Sequence, residues 1–246
     1  MGRIAADLGD DGAERIYVPG PEHLWRVAAD GDAPVVDDWR PRYRRSGGPQ
    51  GLAWDACISG GACWVMDCGD VESVRRIHGI LPNGRFDEAP GRRLSWRLDA
   101  PWSGPLRVLR ISLTDPDDIR AVAPLGTPGG GIIAPPVHVP EHATAIAWDS
   151  INGGLAGIDT SGNELTVRWT LDVRPSMQPV VFPESGELVI NDFTDAGNDD
   201  LVVVDVSSGR LLDRVRTGSR IGNGMFLTAG DDRDVFYCTT SSFARV

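Results

Sequence analysis

Three aspartates hold matching places in the chain. Asp67, Asp149 and Asp192 each close a short apolar run, in "WVMD", "AIAWD" and "LVIND", and a fourth run, "VFYCT", ends on Thr239. If these runs are equivalent strands of a repeated sheet, their last side chains form one column near one end of the sheets. Three carboxylates in such a column favour a hard cation with oxygen ligands such as Ca²⁺, or a small molecule that is cationic or rich in hydroxyls. A strand-terminal Asp taken singly has a plainer use, which is to cap a turn by accepting backbone N–H bonds.

Other groups that could do chemistry are less well arranged. The stretch "NDFTDAGNDD" packs Asn191, Asp192, Asp195, Asn198, Asp199 and Asp200 close together, dense enough for Ca²⁺. It lacks the spacing and terminal Glu of an EF-hand, so the expectation is a solvated acidic hairpin. His23, His78, His138 and His142 show no helical metal-site spacing, and no GxSxG elbow supplies a nucleophilic serine. Cys57, Cys63, Cys68 and Cys238 form no paired CxxC motif. Cys57 and Cys63 are placed to face each other across a hairpin, and in a reducing cytosol they are expected to stay thiols. Cys238, beside Thr239, is either a reactive thiol or a small buried hydrophobe.

The elements that must position these groups are short strands. The chain has 246 residues, 41% of them hydrophobic, with 30 Gly and 18 Pro, a composition of many tight turns and few long helices. One pattern recurs: an alternating apolar run, a small polar cluster, then a second run ending in Asp. "TAIAWDSINGGLAGIDTSGNELTVRWTLDV" and "GELVINDFTDAGNDDLVVVDVSSGRLLDRVRTGS" show it most fully, at the spacing of a four-stranded propeller blade. The expected fold is all-β, a β-propeller of four-stranded antiparallel blades in a single domain over residues 1–246. About five blades are visible, near 2–45, 48–125, 130–173, 177–217 and 221–246. The second carries an Arg-rich rim insertion at 71–104, and the last has three strands. A ring avoids unpaired edges only by closing, and no spare strand precedes the first blade, so the chain is expected to be part of a larger ring.

"GNGMFLTAGDDRDVFYCTTSSFARV" resembles the Asn-Gly blade of the SMP-30/gluconolactonase/strictosidine-synthase-like propellers, and "GPQGLAWDACISGGACWVMDCGD" is similar to another blade of that superfamily and to NHL repeats. The resemblance implies that Asn223 helps to bind a divalent cation in the central funnel. It also implies an acid where Thr239 stands and a glutamate where Gln50 stands, two departures from a working lactonase. "VVVDVSSGRLLDRV" resembles the docking motif of quinoprotein-like propellers, with Asp213 in the tryptophan's place, while "GIDTSGNELTVRW" does reach Trp169. That motif joins blades and implies no quinone cofactor. The candidate metal ligands are therefore Asp67, Asp149, Asp192 and Asn223, and the candidate ligand contacts are Gln50, Gln178, Asn223 and Thr239.

The net charge of -11 and the lack of any basic run argue against nucleic acid and anionic membrane surfaces as partners. All 24 basic residues are Arg, which excludes a Schiff-base lysine. No apolar run reaches membrane-span length and the first residues contain no export-type apolar segment, so the expected location is the cytoplasm. The leading expectation is a binding protein that takes a small polar ligand or a divalent cation, Ca²⁺ or another, at an acidic central funnel. A metal-dependent lactonase-like hydrolase and a protein-interaction platform are the alternatives.

Overall fold

A Gly60-Gly61 pair with φ of 59° and 69° joins two strands in a tight hairpin, using a backbone conformation that a Cβ would disfavour. Turns of this economy recur along the computed structural model, which describes residues 4–9, 11–19, 24–30, 33–41, 53–67, 105–128, 134–194, 197–219, 224–239 and 243–246. Within them the chain is almost wholly β. It divides into two compact units, Met1–Pro136 and Val137–Val246.

The first unit holds two four-stranded antiparallel meanders. One runs β1 (Ala5–Leu8), β2 (Glu14–Pro19), β3 (Leu24–Asp30) and β4 (Ala33–Val36) in spatial order. The other runs β5 (Ala53–Ser59), β6 (Ala62–Asp67), β7 (Arg107–Ser112) and β8 (Ile119–Val122). Tyr17 and Leu24 of the first sheet share one buried cluster with Ala56, Cys63, Val65, Leu109 and Ile111 of the second. Trp39, just past β4, completes that cluster, sets its ring edge-on to Tyr17 and donates its indole N–H to the carbonyl of Ser112 at 2.9 Å.

The second unit holds three sheets. The first has β9 (Val137–Val139), β10 (Thr144–Trp148), β11 (Leu155–Asp159) and β12 (Thr166–Leu171). The next has β13 (Val180–Phe182), β14 (Glu187–Phe193), β15 (Asp199–Asp205) and β16 (Leu211–Ser219), and the last has β17 (Gly224–Ala229), β18 (Val235–Thr239) and β19 (Phe243–Arg245). Strands β14 and β15 read as continuous apolar runs because both their faces are buried, whereas the outer strand β16 is mostly exposed.

Trp169, on β12, lies over Gly157 of its own sheet and against Gly209 of the next, where a Cβ would come within 2.2 and 2.4 Å of its ring. Its indole N–H donates to the carbonyl of Val206 at 2.9 Å. The docking tryptophan read from the sequence therefore joins these two sheets. Trp39 makes the same kind of stitch in the first unit, from the end of a fourth strand to a carbonyl just at the end of the next sheet's third strand. His142 adds a second link in the second unit, with Nδ1 3.0 Å from the Ser207 hydroxyl and Nε2 2.9 Å from the Pro183 carbonyl.

The strand register corrects one expectation. Cys57 pairs with Trp64 and Cys63 with Ile58, so the two thiols sit one position out of register and do not face each other. Neither is part of a disulfide, and burial pushes the Cys63 thiol well above its usual range. The rim insertion at 71–104, with Cys68, lies outside the described residues.

Candidate functional site

The four strand-terminal residues fall where the repeat places them. Asp67 ends β6, Asp149 follows β10, Asp192 lies one residue from the end of β14 and Thr239 ends β18, each on the second strand of its own sheet and each buried. Their partners differ. Asp149 Oδ1 accepts the N–H groups of Ile151 and Asn152 at 2.8 and 3.0 Å, which is a turn cap. Asp192 Oδ1 accepts the N–H of Arg174 at 2.8 Å. The Thr239 hydroxyl accepts a long bond of 3.5 Å from Ser219. Among the described residues no three His, Cys, Asp or Glu side chains are placed to share a metal ion. Gln178 lies half-buried just before β13. Asn223 and Gln50 lie outside the described residues.

The acids of "NDFTDAGNDD" do not form a solvated hairpin. The β14–β15 ladder sets Asp192 opposite Asp200 and Phe193 opposite Asp199, so the acids at both ends of the turn are drawn into the sheet and buried. Side chains alternate across a strand, so Asp199 and Asp200 point to opposite faces. On one face Asp192 and Asp200 are direct cross-strand neighbours, an arrangement of like charges that is unfavourable without a cation between them. Arg214 of β16 supplies that cation, donating to Asp192 Oδ2 at 2.7 Å and to Asp200 Oδ2 at 3.3 Å. Its side chain is 36% exposed while those of the two acids are 9% and 7% exposed. Burial works against the charged guanidinium, yet the bonds to Asp192 and Asp200 leave its pKa raised. Asp200 Oδ1 is buried and has no hydrogen-bond partner.

On the opposite face Asp199 joins a neutral polar network. Asn191 accepts the N–H groups of Ser176 and Met177 at 2.9 and 3.1 Å and donates to the Ser176 hydroxyl and to Asp199, each at 3.0 Å. Tyr237 of β18 donates its hydroxyl to Asp199. Burial raises the Asp199 carboxyl above its ordinary value, the bonds from Asn191 and Tyr237 hold it down in part, and the charges of Asp200 and Asp192 push it further up. Burial and the neighbouring Asp199 carboxylate raise the Tyr237 phenol. Around these groups Val189, Leu201, Val235 and Tyr237 form the apolar core between the last two sheets.

The sequence reading named Asp192, Asp199 and Asp200 within one acidic run but did not join them to Arg214 or to Tyr237. The available signal was the alternation in "RLLDRVRT", which puts Arg214 and Arg216 on one face of an outer strand that must lie beside the acidic one.

No protein-family model matches the chain, and no curated protein matches it. Solved structures do resemble it. A quinohemoprotein alcohol dehydrogenase, ADHIIG, from Pseudomonas putida HK5 is similar over 94% of this chain and 38% of its own length, at 11% identity and a TM-score of 0.55. The Dos1 propeller matches over 95% of this chain and 53% of its own, at 9% identity and a TM-score of 0.54. AztD from Citrobacter koseri matches over 86% of this chain and 46% of its own, at 15% identity and a TM-score of 0.50. The chain therefore spans about half the length, or less, of these structures. Identities this low speak for fold alone. With five antiparallel meanders in sequence order among the described residues, the chain has the β-propeller fold, as these structures do.

Proposed function

We propose that this chain is a propeller-fold binding module whose recognition element is the Asp192–Asp200 pair, and that its ligand is a small polar molecule bearing a positive charge. The observation that supports this reading is the arrangement around Arg214. One partly exposed guanidinium bridges two nearly buried, directly opposed carboxylates, and one carboxylate oxygen, Asp200 Oδ1, is left without a partner. A buried acceptor without a partner carries a desolvation cost of about 1–3 kcal/mol, which a donor-bearing ligand removes. Arg214 then occupies the slot that an amine, a guanidine or a divalent cation would take, and the ligand competes with it. The lactonase-like alternative has less to stand on, since Thr239, at the place of the expected acid, has only a hydroxyl to offer.

Thermal unfolding with putrescine and with CaCl₂ as separate probes tests the reading. Either probe at about one hundred times its Kd stabilises the native state by about 2.7 kcal/mol, a rise of roughly 5–10 °C in Tm for a chain of this size. The rise disappears in Asp200→Asn and grows in Arg214→Gln, which vacates the slot. Absence of any rise in both the wild type and Arg214→Gln overturns the proposal.

A further inference from the structure

A second guanidinium shares the face on which Arg214 bridges its two acids. In the β15–β16 ladder Arg216 stands directly opposite Asp200, and in the β14–β15 ladder Asp200 stands opposite Asp192. Residues paired across antiparallel strands point to the same side, so Asp192, Asp200 and Arg216 form one row across the three strands. The next row on that face is Ile190, Val202 and Arg214. Ile190 and Val202 are fully buried, so the charged row is bordered by an apolar one, from whose outer end Arg214 reaches back to both acids.

The two arginines are engaged differently. Arg214 is bonded to Asp192 Oδ2 and Asp200 Oδ2. Arg216 is exposed and makes no hydrogen bond or ion pair among the described residues, although an acid is its direct neighbour. Asp200, with its side chain 7% exposed, keeps its buried Oδ1 without a hydrogen-bond partner. One open acceptor and one open forked donor therefore lie in adjacent places of the same row.

We propose that the ligand of this site is a zwitterion, a free α-amino acid, whose ammonium group is held between Asp192 and Asp200 and whose carboxylate is held by Arg216. The inference rests on the reading of the Asp192–Asp200 pair as a slot for a positive group, and it narrows what carries that group. Two carboxylates and two guanidiniums already balance on this face. A dication such as putrescine or Ca²⁺ leaves an excess of positive charge beside Arg214 and Arg216, and that repulsion opposes binding. A zwitterion keeps the balance and satisfies both open groups. Its ammonium donates to Asp200 Oδ1, and its carboxylate accepts from the Arg216 guanidinium, whose planar fork matches two carboxylate oxygens. Because Asp200 and Arg216 are direct cross-strand neighbours, closely spaced charges, as in an α-amino acid, match the site.

Isothermal titration calorimetry with L-alanine, ethylamine and propionate tests the proposal, since these molecules are of similar size and carry both charges, only the positive one and only the negative one. The wild type is expected to bind L-alanine about tenfold or more tighter than either of the others, the worth of one hydrogen-bonded charged group. Arg216→Gln alters an exposed side chain, and far-UV circular dichroism checks that it folds. It should bind L-alanine no better than ethylamine. A wild type that does not bind L-alanine, or that binds ethylamine or propionate as tightly, overturns the proposal, as does a preference for L-alanine that survives in Arg216→Gln. If putrescine or CaCl₂ still raises the Tm in that case, the cation slot stands and only its ligand class is wrong. If both are silent as well, the slot falls with it.

Discussion

Asp199 and Asp159 show how far the surroundings of one carboxylate can differ from those of another in the same fold. Burial and the nearby Asp200 and Asp192 charges raise Asp199, while the Tyr237 hydroxyl bond pulls its pKa down. Its titration midpoint, followed by carboxyl NMR, is expected above the ordinary 3.8 and higher still in Tyr237→Phe. A midpoint that does not move would show the hydroxyl bond to be unimportant. Asp159 behaves in the opposite way: the N–H and hydroxyl of Ser161 and the guanidinium of Arg168 lower it to about 2. Its folded value lies below its unfolded one, so its stabilisation is complete above the ordinary 3.8 and is lost as pH falls through about 2. Asp159 is partly exposed, so solvent screening keeps the effect small. Asp159→Asn is expected to cost at most about 1 kcal/mol at neutral pH in urea unfolding, with the gap to wild type closing in acid. At this scale the sequence disclosed only half of the candidate site. The strand-ending aspartates were legible from their repeat, but a dense run of acids reads as hydrophilic. Only the ladder that sets Asp192 opposite Asp200 shows why these acids are inside.

Two pairs of neighbouring sheets are each stitched by a tryptophan, Trp39 to the Ser112 carbonyl and Trp169 to the Val206 carbonyl. Trp169→Ala removes a buried ring seated on Gly157 and Gly209 and should cost about 3–5 kcal/mol in chemical denaturation. Trp169→Phe keeps most of the packing but orphans the Val206 carbonyl, for a loss of about 1–3 kcal/mol. Equal losses in the two variants would mean that the indole N–H bond to Val206, and not the packing of the ring, makes the joint. The Trp169 stitch could be read in advance because the spacing from "GID" to "RW" approximates a known docking pattern. The equivalent role of Trp39 could not, because its acceptor, Ser112, lies 73 residues away in sequence and only the folded chain brings them together. The one-residue slip between Cys57 and Cys63 has a similar origin, since hairpin register depends on which residues the Gly60-Gly61 turn consumes.

For the molecule as a whole, the all-β class and the propeller fold were legible because the described sheets repeat the same alternation of apolar runs and turns. Function was not, because it depends on side chains that different strands bring together and on residues such as Asn223 that lie outside the described part of the structure. The charge of -11 carried by a chain without lysine sets a general condition on any partner, which must tolerate or exploit an acidic surface. The stitch from Trp169 to Val206, with the His142 link beside it, also has a mechanical meaning. Repeat proteins under tension give way unit by unit unless neighbours are cross-braced. Here the brace runs from β12 across to the end of β15. Stretched in an optical trap, residues 137–219 should therefore let go in a single rupture that spans two sheets, and Trp169→Ala should divide that rupture into two smaller ones at lower force.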